Sequence, residues 1–291
     1  MFLCGGLISQ KTDLKSVLSV RDYIYRVRQA EKAIKAKVVL AEAAQQLYRD
    51  TSYSDLISFE EDIAKIASIV LVISESPGSL AELGSFSSEV AIRSTVRIII
   101  SEDHNVAESF VRYGPIKRIE NISRSHIGIF PWRVHKSTGM VIKASISPHY
   151  REITNFIKSH VDAVPDTFTY SLVPEKAVFF DIIWVLSLLE AVPPEPLYEA
   201  VRIVHPALTD GRIKDYLYTL RVCKWIDVFS YSGRDYYFLP RNSDPFEYAF
   251  LPGQRVRDVS ATKLEITADF QSQAVIGKAV IRRLFDKRQS L

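Results

Sequence analysis

The first half of the chain alternates short apolar runs with segments in which apolar residues recur at helical spacing. The apolar runs predict five strands, at 2–4, 38–40, 69–73, 96–100 and 127–130. The segments of helical spacing predict helices at 14–34, 56–67, 79–92 and 148–160. The run at 69–73 is apolar throughout, which is typical of a strand buried on both faces. Strands that alternate with helices predict an α/β fold, with a flavodoxin-like or Rossmann-like parallel sheet.

The pattern changes after Val164-Pro165-Asp166, which we interpret as a linker. Helices are then predicted at 178–189, 197–203 and 210–220, and two strands follow around a turn at 230–235. Three helices and then a β-hairpin are the order of a winged helix. We therefore expect a first domain at 1–163, and at 164–291 a winged-helix domain that ends in a basic C-terminal helix.

Composition excludes few function classes. The 291 residues are 47% hydrophobic and 24% charged, which is ordinary for a globular protein, and a net charge of +3 says little about partners. No apolar run has the length of a membrane span, and the N-terminus lacks the pattern of a signal peptide. Two cysteines make no disulfide framework, so we expect a cytoplasmic protein without membrane contact. The six histidines show no metal-ligand spacing, and no metal site is expected.

The most informative segment combines the buried strand at 69–73 with Pro77-Gly78 and a helix that carries Glu82. In α/β folds, ligands bind at the carboxyl ends of strands, next to helix N-termini. One hypothesis is structural: Ser79 and Glu82 have the spacing of a capping box. The other is catalytic: Glu82, held ionised by the helix dipole and positioned by Ser79, attacks or stabilises the anomeric carbon of a ribosyl group. The two hypotheses are compatible.

These residues resemble a known enzyme family. The segment Ser76-Pro77-Gly78-Ser79, followed by Glu82-Leu83-Gly84, resembles the motif of nucleoside 2-deoxyribosyltransferases. The resemblance implies that Glu82 is the nucleophile on C1′ of the sugar and that Ser79 replaces the usual threonine. Gly5-Gly6, after the first strand, matches the first sugar-side loop of that family.

Two departures from that motif concern acids that hold and protonate the base. The family usually has aspartate directly before the Pro-Gly step, where this chain has Ser76, and a further aspartate where this chain has Ser68. Their absence argues against ordinary transfer between deoxynucleosides. A deoxyribosyltransferase of nucleotide salvage therefore remains only an alternative.

A narrower resemblance is to the effector toxins of retron anti-phage systems, which join a deoxyribosyltransferase-like domain to a C-terminal winged helix. The matching segments are 2–6, 75–79, 82–84, 86–87 and Tyr113-Gly114-Pro115. The resemblance implies an N-glycosidase that cleaves the nicotinamide–ribose bond of NAD, with NAD as substrate and no other cofactor. It also implies a toxin that arrests or kills its host during infection and is restrained by the retron reverse transcriptase and its msDNA. Effectors of this kind also form larger assemblies.

Several further residues are candidates for substrate binding. Glu42 follows the second predicted strand and either contacts a ribose hydroxyl or is a solvated acid. Glu75 either orients the sugar or base or lies at the surface. Tyr113 either closes over the base or belongs to a simple turn. The full set of predicted substrate-binding residues is Gly5, Gly6, Glu42, Glu75, Gly78 and Tyr113.

Basic residues of the second domain are candidates for contact with nucleic acid or a protein partner. Arg212, Lys214 and Arg221 lie on its predicted third helix, and Arg234 lies at the tip of the hairpin. Basic side chains at these positions would contact the phosphates of a bound nucleic acid. Acidic residues are interspersed among them, so docking to a protein is equally open. A nucleotide-sensing winged-helix regulator that binds DNA without cleaving its ligand is the second functional hypothesis.

Overall fold

A computed structural model describes most of the chain and divides it into two compact units. The described residues are 1–11, 16–31, 34–40, 42, 51–106, 108–170, 174–241, 244–248, 253, 258–272 and 277–290. The first unit comprises Met1–Gln45 and Asp55–Thr169, and the second comprises Gln46–Ser54 and Tyr170–Leu291.

The first unit is built on a parallel sheet. Its strands lie side by side in chain order, as β1 (Phe2–Cys4), β2 (Val70–Ser74), β3 (Val96–Ser101) and β4 (Ile127–Phe130). The predicted strand at 38–40 is reduced to a single parallel bridge between Val39 and Phe2, on the free side of β1. With Val39 counted as a strand, the order is that of flavodoxin-like sheets, so the α/β prediction is confirmed and the sheet is compatible with a Rossmann-like fold.

Eight helices of the first unit lie within the described residues. They are α1 (Val20–Glu31), α2 (Leu56–Ile66), α3 (Pro77–Ser88), α4 (Val90–Arg93), α5 (Glu102–Val106), α6 (Lys117–Glu120), α7 (Lys143–Ile146) and α8 (Tyr150–Asp162). A π-helical turn (Arg112–Ile116) leads into α6. The predicted helix at 79–92 begins two residues earlier, at Pro77, and is interrupted at Glu89, which caps α4.

The sheet is covered on both faces. All five residues of β2 are buried, as predicted for a strand between two helical layers. On one face, Leu71, Ile73 and Ile99 belong to a core cluster with residues of α1 and α8. On the other face, Phe2 meets Phe86 of α3 edge-on, with ring centres 6.0 Å apart.

The second unit combines helices with a small antiparallel sheet. Its elements are α9 (Pro174–Leu189), β5 (Ala191–Val192), α10 (Pro194–Val204), α11 (Asp210–Val222), β6 (Asp227–Tyr231), β7 (Arg234–Phe238), α12 (Val259–Ser272) and α13 (Lys278–Gln289). The sheet order is β5-β7-β6. Val280 and Leu284 of α13 are buried in one cluster with Phe229, Tyr236 and Phe238 of the hairpin. Among the described helices, none combines the length and apolar character needed to cross a bilayer.

The Gly5-Gly6 turn after β1 is crowded by other parts of the chain. A Cβ atom on Gly5 would lie 2.9 Å from Cβ of Arg21, and one on Gly6 would lie 2.6 Å from Cβ of Ser19. Real Cβ atoms are not found at such distances, so side chains are excluded here by the packing of the turn against the start of α1. The absence of side chains at Gly5 and Gly6 is therefore explained by contacts within the protein.

This packing makes a matched pair of glycine substitutions informative. Gly6→Ala is expected to lower the free energy of unfolding by about 1–3 kcal/mol, because the backbone or Ser19 must shift. Gly84→Ala is the control: it lies within α3, its new Cβ would meet nothing within 4 Å, and we expect it to stabilise by about 0.5–1 kcal/mol. Urea unfolding measures both, and a Gly6→Ala protein as stable as the wild type would contradict the packing account.

Candidate active site at the carboxyl edge of the sheet

The N-terminus of α3 is capped by two serines. Oγ of Ser76 accepts a hydrogen bond from the N–H of Ser79 at 3.2 Å, and Oγ of Ser79 accepts one from the N–H of Ser76 at 3.0 Å. The prediction that Ser79 and Glu82 form the capping box is therefore wrong. Pro77 is favoured at the first helical position, so Ser76 becomes the cap and Ser79 the third residue of the helix.

Because α3 begins at Pro77, Glu82 takes no part in capping the helix. Glu82 is the sixth residue of α3, and the first turn of the helix contains no acidic residue. Because the dipole effect falls off within the first turn, the prediction that it holds Glu82 ionised is also wrong. Oε2 of Glu82 is shielded from solvent and has no hydrogen-bond partner among the described residues. A buried carboxylate oxygen left without a donor is costly, so its position requires an explanation.

The charge state of Glu82 is set by its surroundings. Burial raises the pKa of Glu82 to about 6; Arg21 acts against this rise, and Glu42 adds to it. At neutral pH the carboxylate is therefore mostly ionised, yet more basic than an exposed glutamate. This combination suits a group that must form a bond to carbon or carry a proton.

Glu75, directly after β2, joins three parts of the first unit. Its Oε1 accepts the N–H of Gly6 at 3.0 Å and that of Arg21 at 2.9 Å, and its Oε2 accepts the N–H of Val20 at 2.6 Å. Burial raises the pKa of Glu75, and these backbone donors oppose that rise. Glu75 thus caps α1 from a distant point in the chain and holds the glycine turn in place.

Arg21 lies at the start of α1 and connects the glycine turn with Glu42. Its Nη1 and Nη2 donate to the two carboxylate oxygens of Glu42 at 2.5 and 2.7 Å, and Nη1 also donates to the carbonyl of Gly6 at 3.2 Å. Partial burial acts to raise the pKa of Glu42, but the hydrogen bonds from Arg21 prevail and lower it. Half of the Glu42 side chain remains exposed, so its carboxylate is accessible to a hydrogen bond from a ligand hydroxyl.

Glu60 of α2 is a further member of this group of acids. Helix α2 lies beside α3, where Oγ of Ser85 donates to Oε1 of Glu61 at 3.2 Å. Burial raises the pKa of Glu60 to about 7, and the charges of Glu82 and Glu42 add to the rise. The pKa of the buried Cys4 thiol is raised by burial and then by Glu82 and Glu60, so Cys4 stays protonated, as expected for a core residue.

Sequence reasoning missed Arg21 and Glu60, since neither belongs to a recognisable motif. Arg21 reaches Glu42 only because Glu75 fixes the start of α1. The pattern around Glu60 contained a weak signal, because the residue follows the buried Phe59 and lies at the border of the buried face of an amphipathic helix. A glutamate at such a position is seldom buried without a reason.

The remaining predicted residues of the first unit lie in different surroundings. Ser79 is fully buried within the cap, whereas Gly78 is exposed and has room for a side chain. Tyr113 is 64% exposed, on the π-helical turn that packs against α3. π-Helical turns are rare and frequently occur at functional sites. The described residues contain no group of three or more potential metal ligands.

A cleft lies at the same edge of the sheet, at the ends of β3 and β4. Its volume is about 310 Å³, and its lining residues are Glu102, Asp103, Pro131, Trp132, Arg133 and Ser145. Asp103 lies on α5, the short helix that directly follows β3.

The four basic residues predicted on the second unit do not form a single group. Lys214 and Arg221 are exposed on α11, and Arg234 is exposed where β7 begins. Arg212, in contrast, lies between aromatic rings, with its guanidinium carbon 4.2 Å from the ring centre of Tyr216 and 5.6 Å from that of Tyr53. It also pairs with Asp215 at 3.7 Å, so its charge is partly neutralised within the unit.

Comparison with known proteins connects this site to a family. Residues 17–228, nearly three quarters of the chain, match the family model described as "STM3845 retron effector protein". The chain belongs to this retron effector family. The match covers Arg21, Glu42, Glu60 and Glu82, together with the three helices that open the second unit.

One curated relative shows a similar stretch. A protein of Escherichia coli named "Retron Ec86 putative ribosyltransferase/DNA-binding protein" is 29% identical over 72 residues. The stretch covers 25% of this chain and 24% of that protein, so the chain matches only about a quarter of the relative's length. The name assigns that protein a ribosyl-transfer activity and a DNA-binding function.

The acidic group predicts an unusual dependence of stability on pH. The pKa of Glu60 is raised from 4.5 to about 7 in the folded protein, so its ionisation opposes folding increasingly as the pH rises through this range. Glu60→Gln is therefore expected to be more stable than the wild type at pH 8, by about 1–3 kcal/mol, with the gain vanishing towards pH 4.5.

Urea unfolding at several pH values measures this difference. Glu61→Gln is the matched control, because it removes the same charge one position along α2 and keeps an acceptor for Ser85. A gain that is equal for both variants, or independent of pH, would show that Glu60 is not buried near other acids.

Proposed function

We propose that this chain is a retron effector toxin whose first domain is a nucleoside deoxyribosyltransferase-like N-glycosidase. It cleaves the base–ribose bond of a nucleotide, with NAD as the preferred substrate. The observation that carries the proposal is Glu82, a half-buried carboxylate with an unpartnered oxygen at the carboxyl edge of the sheet. Capping of the helix does not account for this carboxylate, because α3 is capped by Ser76 and Ser79.

Glu82 would act on C1′ of the ribose. Loss of the base gives that carbon oxocarbenium character, and a nearby carboxylate stabilises the positive charge or forms a bond to the carbon. In NAD the nicotinamide ring is cationic while it is attached, so it leaves as a neutral molecule. Water then attacks C1′, which completes the hydrolysis and returns Glu82 as a carboxylate.

Other residues of the first unit would bind the nucleotide. Glu42 has carboxylate oxygens suited to ribose hydroxyls, and Arg21 fixes their position. Tyr113 has an exposed ring, on a turn packed against α3, that is suited to stacking on a base. The cleft lined by Trp132 and Arg133 has room for a second nucleotide unit, which favours a dinucleotide such as NAD as the substrate.

The second unit would be a winged helix that docks the toxin to its restraining partner. Its order of helix, short strand, two helices and hairpin, with all three strands in one sheet, supports this assignment. The partner we propose is the retron reverse transcriptase with its msDNA, in a reducing cytoplasm. Membership of a retron effector family and the DNA-binding name of the relative support this part.

Replacement of Glu82 tests the enzymatic proposal. Purified full-length protein is expected to release nicotinamide from NAD, and Glu82→Gln is expected to lower the rate by ~10³-fold or more, because it removes the charge but not the volume. Chromatography of the freed base is the measurement, with Glu61→Gln as the control. Expression of the wild type alone should arrest growth, and expression of Glu82→Gln should not.

Two outcomes would contradict the proposal in different ways. Release of the base from deoxynucleosides, with transfer of the sugar to a second base, would instead support a deoxyribosyltransferase of nucleotide salvage. No base released from NAD, nucleosides or nucleotides, together with harmless expression and binding to duplex DNA, would favour the nucleotide-sensing regulator.

Charge reversal on α11 tests the docking surface. Lys214→Glu with Arg221→Glu is expected to weaken binding to structured DNA and to reduce the slope of log affinity against log salt by about one for each phosphate that is no longer neutralised. Arg212→Gln is the contrasting variant, because Arg212 is held by Tyr216 and Asp215 and should not change that slope. Equal effects of all three substitutions would contradict the assignment of the exposed face.

A further inference from the structure

We propose that the first unit carries a basic surface, at the amino edge of its sheet, that binds the phosphate backbone of a nucleic acid. This edge is opposite the one that carries Glu82, so the inference goes beyond the proposed N-glycosidase and does not depend on it. The members of the surface come from β3, from the 3₁₀ turn before β4 and from three helices. They are Arg93, Arg97, Arg118, Arg124, His126 and His160.

Arg97, the second residue of β3, lies at the centre of this basic surface. Its Nε donates to Nδ1 of His160 at 3.0 Å, and its Nη1 lies 3.4 Å from Nδ1 of His126. Because Nδ1 of His160 accepts, the ring proton is on Nε2, which donates to the carbonyl of Ser125 at 2.8 Å. Neutral acceptors thus hold the guanidinium of Arg97 in place without cancelling its charge. The 3₁₀ turn Arg124–His126 brings a further arginine to the same place.

Contacts with backbone and hydroxyl groups connect two more arginines to this centre. Nη1 of Arg97 also donates to the carbonyl of Ser94 at 2.9 Å, and Arg93 directly precedes that serine. Nη2 of Arg93 donates to the carbonyl of Ser88 at 2.9 Å, and Nη1 of Arg118 donates to Oγ of the same residue at 3.1 Å. The arginines are therefore neighbours, although they come from different elements.

Acidic residues do not neutralise this surface. Within the part of the chain that the structure describes, no carboxylate forms an ion pair with any of its four arginines. The acids of the neighbouring elements are engaged elsewhere. Glu120 pairs with Lys117 at 2.9 Å, Asp162 pairs with Lys158, and the carboxylate of Glu89 accepts an N–H of its own helix at 3.3 Å.

The titration of the cluster agrees with a positive environment. Burial, followed by the charges of Arg97 and His160, lowers the pKa of His126 to about 4. Burial also lowers the pKa of Arg97 itself. A partly buried cation without a carboxylate beside it is costly, and an anionic ligand would offset this cost.

The arrangement of the cations favours a chain of phosphates over a single phosphate. Arg118 and Arg97 are held by different acceptors, so their guanidinium groups do not converge on one point. Arg118 and Arg124 are exposed, and so is Ser125, which adds a hydroxyl group. Arginine and hydroxyl side chains are common ligands of backbone phosphates in nucleic acids, and such contacts do not depend on base sequence.

The test measures binding of the full-length protein to a short fluorescent DNA duplex, by fluorescence anisotropy at several salt concentrations. Arg118→Glu with Arg124→Glu is expected to weaken binding ~10-fold or more, and to reduce the slope of log affinity against log salt by about one for each phosphate no longer neutralised. The matched control is Lys136→Glu with Arg151→Glu, which reverses two exposed charges elsewhere in the first unit. Arg151 lies ~14 Å along α8 from His160, and the control is expected to bind almost as the wild type does.

The outcomes separate this surface from the other proposals. Equal binding by the two charge-reversed proteins would overturn it, and so would loss of all binding on reversal of Lys214 and Arg221 alone. Displacement of the duplex by inorganic phosphate at constant ionic strength would reassign the surface to a single anion. Loss of binding to polyglutamate but not to the duplex would reassign it to an acidic protein. None of these measurements involves base release, so failure of the N-glycosidase would be recognised separately.

Discussion

The geometry of the first unit depends on the hydrogen bonds that the Glu75 carboxylate accepts from Gly6, Val20 and Arg21. This carboxylate follows β2 directly, and its donors belong to the turn after β1 and to the first turn of α1. A charged acceptor at the start of a helix satisfies backbone groups that would otherwise lack partners, and it interacts favourably with the helix dipole. Because α1 begins where Glu75 caps it, Arg21 points to Glu42 and the edge of the sheet acquires its charge pattern.

The acids around this edge are arranged at a cost to stability. Burial raises the pKa of both Glu60 and Glu82, and the charges of Glu82 and Glu42 raise the pKa of Glu60 further. A carboxylate oxygen of Glu82 is buried without a donor among the described residues. Folding alone would favour apolar side chains at these positions, and the proposed catalytic use of Glu82 would account for this cost. Arg21 limits the cost by neutralising Glu42.

Much of the fold could be predicted, because it follows from local patterns. The buried run before Ser74 and the Pro-Gly step located β2 and the start of α3 to within two residues. The length of the strand predicted at 38–40 was overestimated, because only Val39 forms a bridge beside β1. The two-residue strand β5 is too short to leave a pattern, and it exists only because β7 offers a partner. Ser79 was wrongly predicted to be the N-cap of α3. Ser76, three residues earlier, is an equally suitable N-cap, and Pro77 favours it because proline is preferred at the first helical position.

The sequence by itself determined the α/β class of the first unit, the position of Glu82 near a strand end and the family resemblance. These features depend on hydrophobic periodicity and on motifs whose residues are close in the chain. Tertiary structure alone decided that Glu75 caps α1 and that Arg21 binds Glu42. It also decided that Gln46–Ser54 belongs to the second unit, where Ser52 donates to Asp215 at 2.7 Å. Such contacts join residues far apart in sequence, and burial, which sets the pKa of each acid, is created only when the chain folds.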